Sequence, residues 1–179
     1  RTAVVGFVQR SSRLASLKIR VVGGKAVFFS AYAPHSGKPF DERQEFYQDV
    51  AEAVTAVSSH GPRILLGDWN ARLYRRLPGE ENIVGDGVFT NSHATIPNNA
   101  NRHLLMELCT SQNLAVASTF CNNSAEKLIT SYNVGSQAMD PVCWQAHSQI
   151  DFALCTQSWL PSFLNSYTDR SLPLPTHHY

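Results

Sequence analysis

The segment Arg63-Ile64-Leu65-Leu66-Gly67 runs straight into Asp68-Trp69-Asn70. A short apolar run without alternation, ended by glycine, suits a strand covered on both faces. Covering both faces takes layers of secondary structure on either side, so the run points to a layered α/β domain. The same run carries a carboxylate and a carboxamide, two residues apart, just beyond a rigid buried element. A GD-x-N turn often only ends a strand, because Asp and Asn side chains bond their own backbone. The question is what else in the chain could meet these groups.

The rest of the pattern supports a mixed sheet. Residues 3–8 (AVVGFV) read as a short buried strand. Residues 14–22 alternate, with Leu17, Ile19 and Val21 on one side and Lys18 and Arg20 on the other. Gly23-Gly24 separates them from a second run at 25–33, which predicts a hairpin. From Asp41, with Gln44 three residues on, a capping box predicts an amphipathic helix carrying Phe46, Val50, Val54 and Val57, stopped by Gly61-Pro62. A second helix is expected over 101–113, burying Leu104, Leu105 and Leu108, with strands over 114–119 and 149–155. In the last strand Ile150, Phe152 and Leu154 share one face, which turns Asp151 to the other with Ala153. Residues 74–99 form a long polar loop, 122–148 read as irregular with a strand near 128–133, and Pro173 and Pro175 keep the tail extended. Antiparallel hairpins within alternating strands and helices specify one α/β domain with mixed, mostly antiparallel sheets in a sandwich.

With 15 basic and 14 acidic residues the formal charge is +1, so any polyanion contact must come from local patches. Arg72, Arg75 and Arg76 form the densest one. Cys109, Cys121, Cys143 and Cys155 lack zinc-site spacing and read as free, mostly buried thiols of a reducing compartment. No stretch approaches the length of a membrane span. The polar residues that a core would not choose are Asp68 and Asn70, Asp151 amid apolar neighbours, and the pair His177-His178.

Five segments in this order, SAYAPHSG (30–37), LLGDWNA (65–71), NRHLLMELC (101–109), QIDFAL (149–154) and PTHHY (175–179), resemble the endonuclease/exonuclease/phosphatase superfamily. The resemblance is closest to the apurinic-endonuclease-like domain of non-LTR retrotransposons and runs through nearly the whole chain. It implies a four-layer, DNase I-like α/β sandwich and phosphodiester or phosphomonoester hydrolysis with Mg²⁺ or Mn²⁺. By this resemblance Asp68 orients or deprotonates the attacking water, and Asn70 holds the scissile phosphate or a second metal site. Asp68 and Asn70 are thus also the candidate metal ligands. Asp151 is expected to pair with His177, which donates to a phosphoryl oxygen as charge builds up. Tyr32 would lie against the phosphate, with His35, Trp69 and Arg102 as further substrate contacts.

The resemblance also defines departures. It places the family's opening strands, one of them bearing a metal-binding Glu, before Arg1, and a final strand after Tyr179, so residues 1–179 are expected to be one incomplete domain of a longer polyprotein. Against a Ser-Asp-His motif the chain is expected to set Pro175-Thr176-His177, with Thr176 in place of the metal-binding Asp. The expected activity is metal-dependent nicking of DNA by a monomeric domain of retroelement origin. The location is unknown from the sequence; the resemblance, if to a retroelement endonuclease, implies an intracellular, nuclear one. The alternatives are a phosphomonoesterase acting on lipid or inositol phosphates, and an inactive remnant kept for binding nucleic acid or protein.

Overall fold

The structure is a computed structural model that describes residues 3–57, 61–89, 100–132, 147–169, 171 and 176–178. Its centre is a six-stranded sheet in the order β1-β2-β3-β4-β8-β5. The strands are β1 (Val4–Gln9), β2 (Leu14–Val21), β3 (Gly24–Tyr32), β4 (Arg63–Asp68), β5 (Leu114–Ala115) and β8 (Asp151–Thr156). Only the β3–β4 pairing is parallel; the others are antiparallel, so the sheet is mixed as expected. A small second sheet pairs β6 (Ser131–Tyr132) with β7 (His147–Ser148). The helices are α1 (Phe40–Thr55), α2 (Ala100–Ser111) and the single turn α3 (Ala125–Leu128).

The β2–β3 hairpin forms where the alternation places it, and Gly23 takes a left-handed φ of 81° in its turn. Its core side differs from the expected one. Ser16 and Lys18 stand opposite Phe29 and Val27, both buried in the core, so Leu14, Ser16 and Lys18 face inward. Leu17 and Ile19 turn to the opposite face and stay half-buried. The hairpin supplies its core contacts mainly from β3, and a long lysine stem covers apolar surface while its charge reaches water.

Helix α1 buries Phe46, Tyr47, Val50, Ala53 and Val54 against the sheet, joined by Leu104, Leu105 and Leu108 of α2. The capping box is not formed. Pro39 is the N-cap with no side-chain cap bond, and Asp41 lies inside the first turn. There its carboxylate still faces the positive end of the helix dipole.

Three further expectations change. Strand β1 is an exposed edge rather than a buried strand, with Phe7 at 65% and Val8 at 61% exposure. β4 is covered on one face: Leu65 is fully buried, whereas Leu66 points the other way and is 45% exposed. Residues 114–119 give only the two-residue β5, then a 3-10 turn over Ala117–Phe120. Cys109, Cys121 and Cys155 are free and buried, as read from their spacing; Cys143 lies outside the described residues, as do Pro173, Pro175 and residues 90–99 of the long loop.

Candidate active site

Sheet register builds the site. Tyr32 of β3 stands opposite Asp68 of β4, and Asp68 stands opposite Asp151 of β8. Directly opposed residues share a face, so the three side chains form one row across three strands. That face is opposite the one covered by α1 and α2. Tyr32 is exposed, and both carboxylates are partly shielded.

Asp68 is locked from its own turn. Its Oδ1 accepts the backbone N–H of Asn70 at 2.8 Å, and Oδ2 accepts the Asn70 amide at 3.2 Å. The same Asn70 amide nitrogen donates to the carbonyl of Ala33 at 2.8 Å. Asn70 adopts a left-handed φ of 47°, a conformation that asparagine tolerates better than most residues. Burial, with Asp151 adding to it, raises the Asp68 carboxyl to about 6, against the opposing pull of the Asn70 hydrogen bond and of His178.

Asp151 is fixed by its neighbours. The Thr130 hydroxyl accepts the backbone N–H groups of Ile150 and Asp151 at 3.0 and 3.1 Å, and Trp69 N–H donates to the Ile150 carbonyl at 2.9 Å. The imidazole on Asp151 belongs to His178, not to the expected His177. Nδ1 of His178 lies 3.0 Å from Oδ2 and 3.2 Å from Oδ1. The tail runs along β6: His178 bridges Ser131, and Tyr132 N–H donates to the His177 carbonyl at 3.1 Å. Neighbouring residues of an extended segment point to opposite sides, so seating His178 on Asp151 turns His177 outward. Its ring is exposed, 5.6 Å from that of His178 between centroids. Thr176, expected in place of a metal-binding Asp, is exposed, and its hydroxyl oxygen accepts the His178 backbone N–H at 3.2 Å.

With Nδ1 committed to a carboxylate, Nε2 of His178 is the working atom. It lies 4.0 Å from Oδ2 of Asp68, too far for a hydrogen bond and wide enough for a third group to reach both. Asp68, Asp151 and His178 each offer a ligand atom within 4.8 Å of the others. Two carboxylates suit a hard divalent cation. The raised carboxyl of Asp68 is what a cation would counter. Beside Asp151 and His178 a cavity of about 440 Å³ opens over Leu66 and Ala153, with Lys127 and Tyr167 on its rim.

The remaining expected contacts fall elsewhere. Trp69 is fully buried in the core, with Nε1 donating to the Phe152 carbonyl at 3.1 Å, and cannot reach a nucleic acid. Arg102 is also withdrawn: it pairs with Glu80 at 2.7 Å and caps the carbonyls of Leu73 and Arg75. His35 is exposed three residues past Tyr32, its Nδ1 accepting Gly37 N–H at 3.1 Å.

Two residues outside the expected set hold the site together. Asn101, fully buried at the start of α2, donates to the carbonyls of Pro34 and Asn70 at 2.9 and 3.0 Å. Its Oδ1 accepts from Arg43 of α1 at 3.1 Å. The loops after β3 and β4 are thereby tied to both helices. The only trace of this in the sequence is a polar residue opening an otherwise apolar helix face.

The sheet order and helix placement give this α/β fold the same architecture as solved endonuclease structures. Among solved structures, the chain matches the catalytic domain of Xenopus laevis APE2 with a TM-score of 0.68 at 18% identity, covering 94% of this chain and 54% of that one. It matches the AP endonuclease LMAP of Leishmania major with a TM-score of 0.62 at 11% identity, covering 95% of this chain and 53% of that one. An AP endonuclease of Archaeoglobus fulgidus gives 0.57 at 14% identity, with 88% and 59% covered. The chain thus spans little more than half the length of these structures. At the level of sequence, no protein-family model and no curated protein matches it.

Proposed function

We propose that the chain is the core of a metal-dependent phosphodiesterase that nicks DNA, from a retroelement polyprotein in which it acts as a monomeric domain. One observation carries this reading: Asp68, Asp151 and His178, from three distant segments, meet within 4.8 Å, the span of a single phosphate. A divalent cation at these carboxylates would neutralise phosphate charge and assist ionisation of water.

The residues of the chain do the rest. Asp68, held by Asn70, accepts a proton from the attacking water or fixes its direction. Asp151 holds His178 through Nδ1, which aims Nε2 at a phosphoryl oxygen where negative charge accumulates. Tyr32 lines the same row on the approach side. Such chemistry depends on positioning and charge more than on covalent steps, which suits groups mounted on strand ends. Exposed Arg72 and Arg75 supply salt-sensitive affinity for the backbone; Arg76 is paired with Asp86 at 2.9 Å.

The test is conversion of supercoiled to open-circular plasmid with Mg²⁺ or Mn²⁺. Nicking abolished in Asp68→Ala and in His178→Ala supports the reading; nicking that survives both ends it. A second reading is DNA binding without hydrolysis. What favours it is that no glutamate joins the cluster among the described residues: Glu80 is tied to Arg102 and Glu107 to His103. DNA affinity without turnover under either metal would select that reading.

A further inference from the structure

The row of side chains does not stop at Tyr32. Leu14 stands opposite Ala31, and Tyr32 N–H donates to the Arg13 carbonyl at 2.9 Å, which places Arg13 next in line, immediately before β2. Its guanidinium lies over the Tyr32 ring, 4.9 Å from the centroid, with Nη1 3.4 Å from the Tyr32 carbonyl. Three strands and the residue before β2 therefore present Arg13, Tyr32, Asp68 and Asp151 in sequence across one end of the sheet.

Arg13 shares with Arg20, Arg63, Arg72 and Arg75 the lack of a carboxylate partner among the described residues, but of these Arg13 is the one in line with Tyr32 and Asp68. Arg10 pairs with Glu52, Arg76 with Asp86 and Arg102 with Glu80, while Arg43 is bound to Asn101. Among the described residues Arg13 meets no carboxylate. It keeps most of its five donors unspent, and the aromatic face beneath it holds the fork in place. A half-exposed, pre-placed guanidinium without an internal anion is suited to an external one.

We infer that Arg13 is a positioning residue that binds a phosphate flanking the scissile one on the same nucleic-acid strand. The inference rests on the phosphodiesterase reading above. From β2 to β4 is two strand spacings, roughly 10 Å. A single strand of duplex DNA presents a phosphate for every ~3.4 Å of axis, so an offset of this size carries a cation past the reacting phosphate to a neighbour. Tyr32 fills the space between and keeps the guanidinium from swinging onto Asp68. Arg13 thereby sets where along the backbone the strand is held, without touching the reacting atoms.

The test measures binding of a fluorescent DNA duplex as a function of NaCl concentration, for wild type, Arg13→Gln and Arg13→Lys, each first checked for an unchanged melting temperature. Arg13→Gln is expected to weaken binding about tenfold at low salt and to lower the log–log salt slope by about one. Arg13→Lys is expected to restore the slope but not the full affinity, because lysine lacks the planar fork. In nicking assays Arg13→Gln raises KM and leaves kcat unchanged. Duplexes with a single neutral methylphosphonate, placed at successive positions around the nick, localise the contact. At one position wild type loses affinity and Arg13→Gln loses none further. Unchanged slope and affinity in folded Arg13→Gln, or additive losses at every position, would overturn the inference. Arg13-dependent binding without nicking would sink the hydrolase reading and, with it, the placement beside a scissile phosphate, leaving only a backbone-phosphate contact; wild type that binds no DNA removes both.

Discussion

The imidazole of His178 rests on the carboxylate of Asp151, with Nδ1 3.0 Å from Oδ2, while the adjacent His177 faces solvent. This separates two neighbouring histidines into different roles. His178→Ala is expected to reduce kcat for nicking by about 10²–10³-fold, the range for removing one positioned donor. His177→Ala should leave kcat nearly unchanged. Single-turnover kinetics on a nicked-plasmid assay checks both, and the opposite ranking would reverse the assignment.

Asp68 makes the chain pH-sensitive in a definite direction. Its carboxyl is raised to about 6 in the fold, chiefly by burial, against about 3.9 for an unfolded Asp. The folded chain therefore holds this proton more tightly than the unfolded chain. The associated stability is fully present below about pH 4 and is lost as pH rises through about 6. Asp68→Asn removes the dependence, so the melting temperature of the variant minus that of wild type should climb between pH 4 and pH 7. Differential scanning calorimetry across this window tests it; a flat difference would refute the assignment. Nicking, which needs the carboxylate, should rise over the same interval.

Asn101 ties the Asn70 turn to Arg43 and to the Pro34 carbonyl from a fully buried position. Asn101→Leu strands two carbonyls and a guanidinium, and is expected to cost about 2–3 kcal/mol. Urea unfolding reads the loss directly. Arg43→Met should recover part of it in the double variant, because the two residues share one hydrogen bond.

Arg102 and Glu80 form a shielded pair, with side chains 9% and 15% exposed. Arg102→Ala leaves a carboxylate shielded from water, and should destabilise the chain by about 3–5 kcal/mol. The salt slope of DNA binding should stay as in wild type. A lowered slope in a folded Arg102→Ala variant would return this residue to the nucleic-acid contact that its place in the sequence suggested.

Much of this was legible along the chain. Alternation around Gly23-Gly24 marks a hairpin, and the spacing of Phe46, Val50 and Val54 marks a helix face, because both are local consequences of backbone geometry. Asp151 among Ile150, Phe152 and Leu154 signalled a carboxylate turned to the other face of its strand, and the register bears that out. Trp69 misled for a related reason. It follows Asp68 directly, but period-two geometry sends it to the core when Asp68 points to the site.

What local pattern left open was settled by contacts between distant segments. A row such as Arg13–Tyr32–Asp68–Asp151 exists only once four strands are in register, and no sequence spacing encodes it. Asn101 and Arg102 are adjacent polar residues on one helix; which ties loops and which pairs with Glu80 depends on what packs opposite each. The choice between His177 and His178 has the same origin. In an extended tail consecutive side chains point opposite ways, so a one-residue shift in how the tail lies beside Ser131 decides which imidazole reaches Asp151.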